Sequence, residues 1–128
     1  MKSHKLVGAE RLLSMGDRAA DKGNYRRAIS CFRQVSATLI PEASHNIACY
    51  LEAVHCISGH RIKFFYKKSL KLGVAESANS LAINSAMAGD KYQCLRWLKI
   101  AKRMGNEEAS CWVDQMLRSN LNLPRFVD

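Results

Sequence analysis

The side chains of this 128-residue chain best suited to chemistry gather between positions 45 and 60. His45, Cys49, Cys56 and His60 follow one another at intervals of 4, 7 and 4 residues, which keeps all four near one face of a continuous helix. Imidazole and thiolate are donors that zinc takes, at about 2.3 Å or less. Fifteen residues of helix would separate His45 from His60 by roughly 22 Å, so the four cannot share one ion. A metal on His45 and Cys49 alone would need ligands from elsewhere, and no structural metal is expected. His55 stands three residues from Glu52, a spacing that suits an acid–base pair and equally an ordinary surface hydrogen bond. No phosphate-cradling glycine loop, nucleophile elbow or paired metal motif occurs. Donors without an activated nucleophile do not make a catalyst, so the expectation is a non-enzyme with no cofactor.

The elements that must position these residues are helices, and they repeat. Met15-Gly16, Ile47-Ala48 and Leu81-Ala82 mark three first helices, and Phe32, Tyr66 and Leu98 mark three second helices at steps of 34 and 32 residues. A period of this length signals stacked helical pairs. The spacing predicts helices over 8–22, 25–38, 42–58, 60–72, 75–88 and 91–104, with breaks at Gly23-Asn24, Ser58-Gly59 and Gly89-Asp90. Gly73 and Gly105 close the second helices of the later pairs, and Pro41 with Glu42 suits a helix start. Gly16 to Phe32 and Ala82 to Leu98 are both 16 residues, whereas Ala48 to Tyr66 is 18, so the middle pair carries an insertion that should lengthen its first helix or turn.

Apolar stripes complete the pattern: Tyr25, Ala28, Ile29, Phe32, Val35 and Leu39 on one helix, and Ile62, Phe65, Tyr66, Ser69 and Leu72 on another. A seventh helix, 107–119, turns Ala109, Trp112, Val113, Met116 and Leu117 to one side and would cap the last pair. The tail, 120–128, keeps Leu121, Leu123, Phe126 and Val127 around Pro124 and is expected to fold back onto the last helices.

Composition sets the outer bounds. Apolar content of 48% and charged content of 24% are those of a globular chain, and the length suits a single domain over 1–128. No apolar run reaches the length of a membrane span, and Lys2, Lys5, Glu10 and Arg11 interrupt the start, so no secretory leader is expected. Five cysteines, Cys31, Cys49, Cys56, Cys94 and Cys111, lack a CxxC pair and fall mostly at apolar helix positions, which fits small, reduced core residues. A cytoplasmic address is the expectation.

Met15-Gly16, Gly23-Asn24-Tyr25, Ala28, Phe32 and Pro41 resemble the signature of the tetratricopeptide repeat family. Ile47-Ala48, Gly59, Ile62 and Tyr66 follow it in the second pair; Leu81-Ala82, Gly89-Asp90, Cys94, Trp97-Leu98 and Ala101 follow it in the third. The Gly89-Asp90 turn, Trp97-Leu98 and Gly105-Asn106-Glu107-Glu108-Ala109 look like the related Sel1-like repeats. The resemblance covers 8–119, as repeats over 8–41, 42–73 and 75–105 and a cap over 107–119. It implies an all-α fold, an αα-hairpin superhelix whose first helices line a concave groove and whose second helices form the convex wall.

Charge then sorts by helix type. The first helices and the cap carry 0, −2, −1 and −2, while the second helices carry +3, +5 and +5, within a net charge of +9. No Lys or Arg lies between Glu42 and Gly59 or between Gly73 and Gly89. The family's groove positions, carried over from the Gly16, Ala48 and Ala82 landmarks, are Glu10, Leu13, Asp17, Ala20 and Asp21; Glu42, His45, Cys49, Glu52 and Ala53; and Glu76, Asn79, Ile83, Ala86 and Met87. Acids and neutral residues stand where one subset of the family grips peptide carboxylates, so an acidic-to-neutral groove taking a basic or amphipathic protein segment is expected. Small proteins of this resemblance serve as adaptors, secretion chaperones or immunity proteins that sequester a basic toxin. The competing surface is the basic convex face, Arg26, Arg33, Phe64, Lys67, Lys68, Lys71, Arg96, Lys99 and Arg103, which would attract nucleic acid or another polyanion.

Overall fold

A computed structural model describes residues 3–54, 59–124 and 126. Seven helices and no strands occur among them: α1 His4–Asp21, α2 Tyr25–Arg33, α3 Glu42–Ala53, α4 Gly59–Lys71, α5 Ala75–Met87, α6 Lys91–Arg103 and α7 Glu107–Arg118. The chain is all-α. It divides into two compact units, Met1–Val74 and Ala75–Asp128. No helix among the described residues is long and apolar enough to cross a membrane.

In the first unit α2 packs on both α1 and α3, and α4 packs on α3. The chain reverses between α1 and α2 because Gly23 takes φ of +78°, a left-handed angle that costs glycine little. Its N–H donates to the Ala20 carbonyl (2.9 Å) and the Asn24 N–H donates to Ala19 (2.8 Å), so the last carbonyls of α1 are satisfied. The Asn24 side chain then accepts from the Arg27 N–H at 3.2 Å and starts α2. Two residues thus end one helix and begin the next. The same pair of backbone bonds closes α4, α5 and α6.

The repeat landmarks lie in the core: Gly16, Ile47, Ala48, Leu81 and Ala82 are buried on the first helices and Phe32, Tyr66 and Leu98 on the second. Gly16 has to be small: a Cβ there would lie 2.8 Å from Phe32 Cε1 and 2.9 Å from Cζ. The Phe32 ring lies nearly parallel to Tyr50, with centroids 5.4 Å apart, and Tyr25 stacks on Tyr50 at 5.6 Å. One aromatic stack therefore joins α2 to α3. Ala9, Val35 and Ala43 form a second cluster, with Leu12 and Ile40 packed against it.

In the second unit α6 packs between α5 and α7. Cys94, Leu98, Ala101, Ala109, Val113 and Met116 supply its core. Asn106 caps α7 by accepting the Ala109 N–H at 2.9 Å, and the same oxygen accepts from the Asn79 amide of α5 at 3.0 Å. Phe126 returns to meet Trp112 edge-on at 4.9 Å, so the tail does fold back on the last helix.

Several boundaries differ from the periodic reading. Helix α1 starts four residues earlier because Ser3 caps it, accepting the Leu6 N–H at 3.1 Å. Helix α2 stops at Arg33 rather than 38: the Val35 N–H turns to Phe32, and the Ser36 and Thr38 hydroxyls bond each other at 2.8 Å. Helix α3 ends at Ala53, with 12 residues against 13 in α5, so the insertion does not lengthen the helix. Five residues, 54–58, join α3 to α4 where three join α1 to α2 and α5 to α6. The extra two belong to that link, and the expected break at Ser58 lies outside the described residues. Leu39, Leu72 and Leu117, expected in the core, are exposed at the edges of their stripes.

Candidate functional site

On α3 the interval from His45 to Cys49 to Glu52 sets three polar side chains along one face. That face meets the hydroxyl of Tyr66 from α4. Cys49 Sγ lies 3.5 Å from Tyr66 Oη and 3.5 Å from His45 Nε2, and the His45 ring sits tilted against the Tyr66 ring at 5.4 Å. Burial most of all, then Cys49 and Glu52, push the Tyr66 hydroxyl up. Burial pushes the Cys49 thiol up, and the Glu52 charge pushes it further, while the bond to Tyr66 offsets part of the rise. A thiol held protonated is a poor nucleophile. The ladder Tyr66–Cys49–His45 joins two helices.

The acids of α1 act by charge on the same unit's aromatic stack. Asp17 and Asp21 are exposed, and after burial, which acts most, their charges raise the Tyr50 hydroxyl. Tyr50 and Tyr66 thus feel the acidic positions, and neither was assigned to the face by the repeat register. Tyr50, two residues past the Ala48 landmark, carried the signal: that offset turns it toward α2.

Most of the expected groove residues reach solvent. In the first unit Glu10, Leu13, His45 and Cys49 are half-buried, and Asp17, Asp21, Glu42 and Glu52 are exposed. In the second unit Glu76 is exposed, Ile83 is half-buried and Met87 is 83% exposed. Asn79 departs from the set. It is buried, its amide is committed to Asn106, and its carbonyl oxygen has no hydrogen-bond partner. This position ties α5 to the start of α7.

The basic set is exposed throughout: Arg26, Arg33, Phe64, Lys67, Lys68 and Lys71 in the first unit, and Arg96, Lys99 and Arg103 in the second. The Arg96 guanidinium lies 5.7 Å from the centre of the Trp97 ring.

His45, Cys49, Cys56 and His60 do not share a helix. Helix α3 ends before Cys56, which with His55 lies outside the described residues, and His60 belongs to α4. No three His, Cys, Asp or Glu side chains among the described residues are placed to hold a metal. Cys31 and Cys94 are buried and Cys49 is half-buried, but Cys111 is exposed, unlike the core residue expected; all four are free thiols. No protein-family model matches this chain, and no curated protein matches it in sequence.

Proposed function

We propose that the chain is a tetratricopeptide-like repeat protein, without catalytic activity, that binds a segment of another protein on the accessible face of α1 and α3 in the first unit, with α5 of the second unit offering residues of the same kind. One observation carries this reading. In α1, α3 and α5 the residues facing solvent are acidic or neutral at every expected groove position except the inward-turned Asn79, and α3 and α5 contain no Lys or Arg. Cations crowd α2, α4 and α6, while α1 balances Lys5, Arg11 and Arg18, which lie off the expected groove positions, against Glu10, Asp17 and Asp21. A face of this charge selects a basic or amphipathic segment, through faster encounter and rejection of acidic competitors. Leu13 adds an apolar contact beside the acids of the first unit, and in the second Ile83 and Met87 follow Glu76 on α5 by seven and eleven residues.

A small adaptor or secretion chaperone in the cytoplasm fits such a face, and an immunity protein holding a basic toxin fits it as well. Both uses need the same acids. The test is an array of basic amphipathic, basic extended and acidic peptides probed with the intact chain. Wild type should retain the basic peptides, and Asp17→Lys, Glu42→Lys and Glu76→Lys together should release them. All three residues are exposed, so the fold should survive. Equal retention by the wild type and the triple variant would refute the reading.

A further inference from the structure

Helix α4 has a second face that the proposed partner site does not use. It carries Arg61, Lys63, Lys67, Lys68 and Lys71 and no acid, while its apolar side, Ile62, Tyr66 and Ser69, is buried. Phe64 stands out of this basic field at 59% exposure. Its ring is held edge-on to Phe65 at 5.2 Å and 77°, which fixes its orientation and leaves ring surface open to solvent. Lys67, Lys68 and Lys71 follow Phe64 by three, four and seven residues, so they share its side of the helix within about 10 Å along the axis.

We infer that α4 is a binding site for single-stranded nucleic acid, in which Phe64 stacks a base and Lys67, Lys68 and Lys71 meet the neighbouring phosphates. The occupant must offer a flat aromatic face and several anionic groups beside it. Single-stranded RNA and DNA offer both at every nucleotide. A duplex keeps its base faces stacked inside. A membrane would find only Phe64 to receive, because the apolar side of α4 is spent in the core. The second unit repeats the composition: α6 carries Lys91, Arg96, Lys99, Lys102 and Arg103 without an acid, beside Tyr92 at 68% exposure.

The test uses the intact chain and fluorescent oligo(U) and oligo(dT) of about 12 nucleotides, with anisotropy read over a series of salt concentrations. Replacing Lys67, Lys68 and Lys71 by Gln should make the slope of log K against log salt shallower by about 2, at roughly 0.7 per phosphate for single strands. Phe64→Leu should weaken binding about tenfold or more and leave the slope unchanged. Preference between oligo(U) and oligo(dT) identifies which strand the site takes. Three results would overturn the inference: equal slopes for wild type and the lysine variant, no effect of Phe64→Leu, or stronger binding to duplex DNA or phosphatidylserine vesicles than to either single strand.

Discussion

Replacing Gly16 by alanine sets helix propensity against packing, and the structure decides which wins. Alanine in a helix interior is favoured over glycine by about 1 kcal/mol. At position 16, however, the new Cβ would sit 2.8 Å from Phe32 Cε1 and 2.9 Å from Cζ, roughly 0.7 Å inside the carbon–carbon optimum. Phe32 is fully buried and stacked on Tyr50, so its ring has little freedom to retreat. Overpacking of this kind costs about 1–3 kcal/mol, which leaves a net loss of about 1 kcal/mol and a fall in Tm of about 4 °C. Gly8 provides the control: it lies in the same helix, is exposed, and has nothing within 4 Å of its Cβ position. Gly8→Ala should raise Tm by thermal melting followed by circular dichroism, and Gly16→Ala should lower it. In a Phe32→Leu background the alanine at 16 should become neutral or stabilising. If Gly16→Ala raised Tm as much as Gly8→Ala, the pairing of α1 with α2 through Gly16 and Phe32 would be wrong.

Asn106→Ala should cost about 2 kcal/mol in urea unfolding, because it removes the cap of α7 and leaves the Asn79 amide unpaired; a loss under 0.5 kcal/mol, on the order of a neutral surface change, would contradict the shared oxygen. A thiol reagent near neutral pH should modify Cys111 rapidly and Cys31 and Cys94 only on unfolding, as read by peptide mass spectrometry. Burial pushes the Cys94 thiol up from 9.0 to about 11, so the folded state holds its proton where the unfolded state has lost it. That contribution to stability is present below pH 9 and is lost as the pH rises toward 11. Cys94→Ala should flatten the decline over this interval in pH-dependent denaturation.

Much of the architecture was legible in the sequence because it depends on local chemistry. Gly23-Asn24 both ends α1 and caps α2, and the same logic reads at Gly89-Asp90 and Gly105-Asn106. The landmark positions were legible because tight helix pairs need one small and one large residue, as Gly16 and Phe32 show. Side chains that act against the period were harder to read. Ser3 extends α1 by a single hydroxyl, and Ser36 with Thr38 stops α2 while Val35 still continues its apolar stripe.

The candidate face was legible only as a set of helical positions. Register placed Glu42, His45, Cys49 and Glu52 on one side of α3, but it does not say what crosses over from the next helix. Tyr66 reaches that face from α4 through its hydroxyl. Asn79 has the register of a solvent-facing residue and was drawn inward by Asn106, 27 residues away. Contacts over such a distance are set by packing between helices, which periodicity within one helix does not encode.

The most direct test of the proposed partner-binding face is backbone amide chemical-shift mapping of the intact chain, titrated with the tightest basic peptide from the array. The expected result is a set of shifts centred on Leu13, Asp17, His45 and Cys49 of the first unit that saturates with the peptide. Shifts confined to α2, α4 and α6 would contradict the account.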